Sequence, residues 1–337
     1  MMEDNQIPTL AEENIPSSPK RKKGGLIIIG ILLAATLFYI GGMSRQISIA
    51  NIFGPKTTAT PAPDSDYIMP KKESDRLDVL ILGIRGEDDV NAANGGPLLT
   101  DSIQIVSYDK RTGETSLVSL PRDLYVEVDN GKNDKLNAVY EYGISHSSNS
   151  LNFIKEKISQ ITGVYIDQVV VFDFASFKEI IDALGGIDLT LAAPFTENQQ
   201  WGYKFSLPAG KNHLDGQSAL YYARSRYSSS DFDRSRRQQQ IIMAIKDKLL
   251  QLNFVGDPVK SFSVLNMVRN NIKTDIGVWN IGQYLDMAGR SSLDAMKRTV
   301  ISTDNLLIES KENGLYVLLP KSGDLSEIKR LFSESLN

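Results

Sequence analysis

The sequence predicts an α/β protein, a central mixed β-sheet flanked by helices on both faces and preceded by one transmembrane helix. Three observations lead there. From residue 77 onward, short apolar runs alternate with segments whose apolar residues recur every three or four positions, so strands and helices are interleaved. Two of the strands are joined by a five-residue turn, KRTGE at 110–114, which makes them a hairpin. Ahead of all this, residues 24–44 carry no charge and include GGLIIIGILLAATLFYIGG, close to the ~20 residues a helix needs to cross a bilayer.

Taken in order, residues 1–23 are polar, hold Pro8, Pro16 and Pro19, and end in Lys20, Arg21, Lys22 and Lys23, the composition of a disordered tail. The span at 24–44 is longer than the ~7 to 15 apolar residues of a signal peptide and lacks an evident small-x-small cleavage site, so it is expected to stay as an anchor. Four basic residues before it, against the lone Arg45 after it, predict a cytoplasmic N-terminus and an extracytoplasmic bulk. The linker at 45–75 contains TTATPAPDSD and further prolines at 55 and 70, and reads as a semi-extended tether.

The folded core is expected at 76–255. LDVLILG (77–83) is an apolar strand followed by a polar loop, SIQIVSYD (102–109) alternates as a half-buried strand, TSLVSL (115–120) returns from the hairpin turn, and LYVEV (124–128) is a further strand. SLNFIKEKISQI (150–161) places Leu151, Ile154, Ile158 and Ile161 on one helical face, with Ser150 as candidate cap and Gly163 as terminator. QVVVFDF reads as a strand, ASFKEIIDAL as a helix stopped at Gly185 and Gly186, and IDLTL as a strand. DGQSALYYAR and the stretch from Asp233 to Leu252 read as helices, the second with Ile241, Ile242, Ile245, Leu249 and Leu252 inward. Residues 256–337 are expected to form an extension packed on the same domain, helical after 260 and ending in a strand near Gly314 to Leu319.

Composition narrows the chemistry. The chain has 337 residues, 41% apolar and 23% charged, which rules out wholesale disorder. With 37 basic against 41 acidic residues the net charge is −4, unsuited to coating nucleic acid. There is no cysteine, and His146 and His213 are the two histidines, so thiol nucleophiles, zinc ribbons and multi-histidine sites are excluded. A metal would have to sit on carboxylates.

Three segments stand out. YARSRYSSSDFDRSRRQQQ (222–240) holds five arginines, two aspartates and no lysine, and Arg without Lys favours bidentate recognition of phosphate or carboxylate oxygens; the plain alternative is a solvated helix face with local pairs. In SLPRDLYVEV, Pro121 biases Leu120 to extended geometry and sets Arg122 and Asp123 between two strands. In LLTDSIQIV, Asp101 precedes a strand, with Glu87, Asp88 and Asp89 upstream, oxygen donors of the kind Mg²⁺ takes in ones and twos alongside phosphates.

These stretches, together with DKLNAVYEYG, VVVFDFASFKEIIDALGGIDL and LPAGKNHLDGQSALYYARSRYSSSDFDRSRRQQQ, resemble in order the LytR-CpsA-Psr family, whose members attach glycopolymers to bacterial cell walls. The resemblance spans about residues 77–250. It implies a membrane-anchored, Mg²⁺-dependent phosphotransferase that moves a glycan phosphate from a polyprenyl-pyrophosphate carrier to a peptidoglycan hydroxyl, chemistry governed by positioning and charge neutralisation. By motif position it implies Asp101 as a metal ligand, Arg122, Arg224 and Arg226 as phosphate clamps, and Arg234, Arg237 and Gln238 as further phosphate contacts or supports of the helix start. Asp231 or Asp233 is then a general base or a helix cap. Asp123, Lys135 and Asn137 support the site.

Two positions depart from the pattern. Family members often carry Asp-x-Arg after the first strand's glycine, whereas this chain reads Gly83, Ile84, Arg85, Gly86, Glu87, Asp88, Asp89, leaving Asp89 or Asp88 as the second metal carboxylate. Leu99 stands where an arginine is common, two residues before Asp101, and Arg85 is the substitute phosphate contact. A slot for the lipid is expected from Val170, Phe174, Phe177, Ile181 and Leu184, unless these are ordinary core. The rival readings are a hydrolase of the same lipid, a non-catalytic lipid-glycan binding module, and a membrane-tethered DNA-binding regulator. The last would put the arginine segment on the wrong side of the membrane, so no nucleic-acid partner is expected.

Overall fold

The computed structural model describes residues 69–87, 89, 96–251, 272–277 and 296–336. The tail (1–23), the apolar span (24–44), the tether up to residue 68, Asp88, Leu252, the side chain of Leu249 and most of the helical stretch expected after 260 lie outside the described residues. Among those described, no helix is long and apolar enough to cross a membrane.

The chain opens with β1 (Arg76–Ile84), β2 (Thr100–Asp109), β3 (Thr115–Ser119), β4 (Tyr125–Asp129) and β5 (Lys132–Lys135), followed by α1 (Val139–His146) and α2 (Ser150–Thr162). Next come β6 (Gln168–Phe172), α3 (Phe174–Ala183), β7 (Ile187–Leu191), β8 (Phe195–Glu197), β9 (Phe205–Leu207), β10 (Gly210–Leu214), α4 (Gly216–Arg224) and α5 (Asp231–Leu250). The remainder is β11 (Ile272–Thr274), β12 (Lys297–Val300), β13 (Leu307–Glu312), β14 (Leu315–Pro320) and α6 (Ser326–Glu334).

Six strands form the central sheet in the order β11-β6-β1-β2-β3-β12. The β2–β3 hairpin is antiparallel, as its turn dictates, while β6 lies parallel to β1 because α1 and α2 carry the chain back across the sheet. Both edges, β11 and β12, come from beyond residue 256, so that part of the chain completes the sheet itself.

Local chemistry sets several boundaries. Asn149, one residue before the expected Ser150, caps α2 by accepting the Asn152 N–H at 3.1 Å. Asp173 accepts from the Ser176 N–H at 2.8 Å, which makes Phe174 the first helical residue of α3 rather than the end of a strand. Asn313 and Gly314, at φ 50° and 82°, make the two-residue left-handed turn that matches strand twist between β13 and β14. Strands such as β10 (GKNHL) and β12 (KRTV) carry little apolar alternation and pair because their partners' edges are open.

The side-chain period of two divides the sheet. Leu80, Leu82, Ile103, Ile105, Val118, Val169 and Val171 face α1, α2 and α6 in a closed core with Tyr140, Ile154, Ile158, Ile328 and Phe332. A buried ion pair ties α6 down: Arg76 donates to Asp78 at 2.6 Å and to the Phe332 carbonyl at 3.0 Å. Burial nevertheless pushes the Asp78 carboxyl above its ordinary range. The opposite residues, Val79, Ile81, Gly83, Ser102, Gln104, Val170 and Phe172, face α3, α4 and α5 across open space.

Candidate functional site

The candidate residues Arg85, Asp101 and Arg122 emerge at one end of the sheet. Arg85 follows the end of β1, Asp101 opens β2 running the other way, and Arg122 follows β3, so antiparallel pairing brings the three together. Their backbones are pinned: the Arg122 carbonyl accepts the Asn137 N–H at 3.0 Å, and Thr100 Oγ1 donates to the Asn137 carbonyl at 3.2 Å. Asn137 therefore spaces Arg122 and Asp101. Gly86, at φ 93°, lets the chain leave β1 against α3, where a Cβ would stand 2.8 Å from the Asp173 Cβ.

The arginines of α4, α5 and the loop between them close over this end. Arg122 donates to Asp101, and its Nε lies 3.5 Å from Asp231 and 3.6 Å from Asp123. Burial opposes the Arg122 charge, but Asp101, Asp123 and Asp231 outweigh it and hold the guanidinium above its ordinary pKa. Burial likewise opposes ionisation of Asp101, but Arg122, then Arg234 and Arg85, hold its carboxyl below the usual carboxylate range. Arg224 is shifted down by burial and next by Arg85, and Arg234 by burial despite Asp231 and Asp101. Positive charges thus press on one another at this rim. Arg234 is 5% exposed, and the Nε atoms of Arg234 and Arg122 are buried without a hydrogen bond, that of Arg122 facing Asp231 and Asp123 at ion-pair distance.

Below the rim the open face of the sheet becomes the floor of a cavity of about 660 Å³. Val79, Ile81, Val170 and Phe172 form the floor, Phe174, Phe177 and Ile180 one wall, and Ile241, Ile242 and Ile245 another. Arg224 stands at the junction, its guanidinium 3.9 Å from the Phe174 ring centroid and 5.3 Å from that of Trp201. One space therefore has an apolar depth and an arginine mouth, the shape an amphiphile with an anionic head requires.

The LytR_cpsA_psr family model matches residues 47–333. The chain belongs to the LytR-CpsA-Psr family. Among its relatives, the polyisoprenyl-teichoic acid–peptidoglycan teichoic acid transferase TagU of Enterococcus faecalis is 31% identical over 294 residues, 85% of this chain and 91% of that protein. In fold it resembles TagV of B. subtilis, with TM-score 0.60 and 24% identity over 78% of this chain and 98% of the other. It also resembles the LytR-CPS2A-psr family protein YwtF (TagT) with bound octaprenyl pyrophosphate lipid, with TM-score 0.55 and 20% identity over 78% of this chain and 91% of the other.

Set against the LytR-CpsA-Psr pattern, the predicted residues divide. Arg85, Asp101, Arg122, Arg224, Arg226, Arg234 and Gln238 all line the cavity, with Arg226 exposed at its edge. Asp89 lies 4.0 Å from Arg85, and both Asp89 and Asp101 act on the charge of Arg224. Asp231 faces the site and Asp233 does not: Asp233 accepts the Ser230 N–H at 3.1 Å while Ser230 Oγ accepts the Asp233 N–H at 3.1 Å, a capping box at the start of α5. Asp233 also pairs outward with Arg236 at 2.7 Å. Asp123 receives Lys135 at 2.8 Å.

Two expectations are corrected and one alternative is decided. Of the two roles open to Arg237 the structure shows the supporting one, since it donates to the Tyr222 carbonyl at 3.0 Å, to Ser229 Oγ at 3.0 Å and to the Ser225 carbonyl, pinning the loop between α4 and α5. Ile181 and Leu184 are fully buried outside the cavity, Ile181 packing toward β7 and β10, and it is Ile180, one position round the helix, that lines the slot with Val170, Phe174 and Phe177. Gln200 and Trp201 were missed. Gln200 accepts the Arg226 N–H at 2.7 Å and donates to the Arg224 carbonyl at 2.9 Å, and Trp201 donates to Ser225 at 3.3 Å, so they hold the arginine loop while lining the cavity themselves. Their segment, ENQQWGYK, has no periodicity, and its one signal is a tryptophan amid amides.

Proposed function

We propose that this chain transfers a glycopolymer phosphate from a polyprenyl-pyrophosphate carrier to a hydroxyl of peptidoglycan, working outside the membrane from an anchor at residues 24–44. The observation that carries the reading is the single cavity with an apolar depth and an arginine mouth. The TagU relatives, named as teichoic acid transferases to peptidoglycan, and the family structure with octaprenyl pyrophosphate support it.

The polyprenyl tail lies on the floor formed by Val170 and Phe172, against Phe174 and Phe177, and its pyrophosphate reaches Arg85, Arg122, Arg224, Arg226 and Arg234. Those arginines neutralise charge on the phosphoryl oxygens, which matters more than covalent help in this chemistry. The acceptor oxygen bonds to the glycan-bearing phosphorus, the bond from that phosphorus to the bridging oxygen breaks, polyprenyl phosphate leaves with the electron pair, and the acceptor's proton passes to Asp231. Two carboxylates beside incoming phosphates suit a hard cation, so Asp101 and Asp89 are the residues that would hold Mg²⁺. The ion would supply further neutralisation of the pyrophosphate. Among the described residues there is no group of three or more such ligands.

The test is reaction of the full-length protein in detergent with a polyprenyl-pyrophosphate glycan, peptidoglycan fragments, and Mg²⁺ or chelator, read by mass spectrometry. A glycan-phosphate-peptidoglycan adduct that chelator suppresses is expected. Lipid phosphate released with only hydrolysed glycan would replace this reading with a hydrolase.

A further inference from the structure

A second cavity, of about 200 Å³, lies behind the arginine rim. It shares Asp101, Arg122, Arg234 and Gln238 with the larger one, so these side chains form a partition between two spaces. Its far side is built from Asp231 at the start of α5 and from Glu309 and Tyr316 of the β13–β14 hairpin. Register places those two on one face of the hairpin, since Glu309 is opposite Leu318 and Tyr316 opposite Lys311, and the Tyr316 hydroxyl donates to Glu309 Oε1 at 3.2 Å. The hairpin is fixed to the site: the Leu318 N–H donates to the Asp123 carbonyl at 2.9 Å, next to Arg122.

The two spaces differ in charge. Around the second cavity Asp101, Asp123, Asp231 and Glu309 outnumber Arg122, Arg234 and Lys135, the last paired with Asp123 at 2.8 Å, so it has no call for another anion. Lys135 Nζ lies over the Tyr316 ring at 5.8 Å from its centroid, so the cavity offers the remaining surface of Tyr316, at 42% exposure, beside carboxylate acceptors. A sugar ring has the matching chemistry, with C–H faces that stack and hydroxyls that donate. Burial and then Glu309 push the Tyr316 phenol up to about 12, so it stays a neutral hydroxyl. In-line displacement further requires the attacking oxygen to arrive from the side opposite the leaving group. With the lipid phosphate on the large-cavity side of the partition, that side is the second cavity.

Building on the transferase reading, we propose that the second cavity is the acceptor subsite, taking a neutral sugar ring against Tyr316 with Glu309 on a ring hydroxyl and Asp231 facing the attacking one. The hairpin contributed by the C-terminal part of the chain thereby selects the acceptor.

The experiment uses the full-length protein and its Tyr316→Ala, Tyr316→Phe and Glu309→Gln variants, titrated separately with a peptidoglycan disaccharide fragment and with the polyprenyl-pyrophosphate glycan. Tyr316→Ala is expected to weaken fragment binding, and to raise the acceptor KM, about tenfold, with donor Kd unchanged. Tyr316→Phe, which keeps the ring, should restore most of the fragment affinity, and Glu309→Gln should weaken it by less than Tyr316→Ala. Lost donor affinity instead would assign the cavity to the donor's own glycan and overturn the proposal, as would fragment binding that none of the variants changes. Tyr316-dependent fragment binding without any adduct from the wild type would overturn the transferase reading and leave the sugar subsite standing. Normal adduct formation by Tyr316→Ala at every acceptor concentration would do the reverse.

Discussion

The two faces of the central sheet are built from the same strands of three to ten residues, yet one is a closed core and the other a container. On the closed face, Leu82, Ile103, Ile105, Val169 and Val171 meet helices that fill the space between them. On the open face the matching positions include Gly83, Ser102 and Gln104, small or polar groups that cannot draw α5 down by apolar contact, and the space of about 660 Å³ remains. A lipid-sized slot in an α/β domain thus requires only that one face of a sheet be under-filled while the other supplies the stability.

A pair of truncations on adjacent residues of β1 tests the difference between the faces. Leu82→Ala, on the closed face, is expected to cost about 2–5 kcal/mol by lost transfer and cavity creation. Ile81→Ala, whose side chain already borders open space, should cost less than about 2 kcal/mol. Equal costs in denaturant melts would mean that the faces are packed alike.

At the mouth, Arg224→Ala and Arg122→Ala should each lower adduct formation by about 10²–10³-fold, the usual consequence of removing a donor to developing charge. Transfer within a few-fold of wild type in both would remove the clamp. Arg237→Ala probes the other side, because its donors end on the Tyr222 and Ser225 carbonyls and on Ser229 Oγ: stability should fall by about 1–3 kcal/mol, seen as a lowered Tm, whereas donor affinity of the folded fraction stays near wild type. Filling the slot with Ile245→Trp should weaken polyprenyl-pyrophosphate binding about tenfold while Tm changes little, since the added ring enters free volume.

The smallest effect is in pH. Arg122 and Arg234 hold Asp101 below the usual carboxylate range against the pull of burial, so its contribution to folding is fully present above about 3.9, the unfolded value, and disappears as pH falls through the lower folded value. Stability of the Asp101→Asn variant relative to wild type should therefore be level from pH 8 to about 5 and change only in stronger acid. A midpoint difference titrating near neutrality would contradict the ion pair.

Much of the fold was legible because its causes are local. β1, β2, β3 and β6 announce themselves by apolar runs and one turn, and α2 to α5 by spacing and caps. The slips were equally local: Asn149 rather than Ser150 caps α2 because its side chain reaches the Asn152 N–H, and a capping box takes Asp233 out of the site. β5, β8 to β13 were not legible, being short and weakly patterned, and neither was the difference between Ile180 and Ile181, which depends on how α3 is rotated over the sheet.

By itself, then, the sequence determined the mixed α/β class, the order of the principal strands and helices and the arginine-rich segments that meet at the mouth, since period, turns and arginine-rich motifs are properties of neighbours in the chain. Tertiary structure alone decided which face of the sheet stays open, which carboxylate meets Arg122, that Arg237 holds a loop instead of a ligand, and that Glu309 and Tyr316 stand behind the arginine rim. These facts rest on contacts between distant segments, such as the Arg76 hydrogen bond to the Phe332 carbonyl across 256 positions. No local pattern encodes such a pairing, because it is the burial of both partners in one core that selects it.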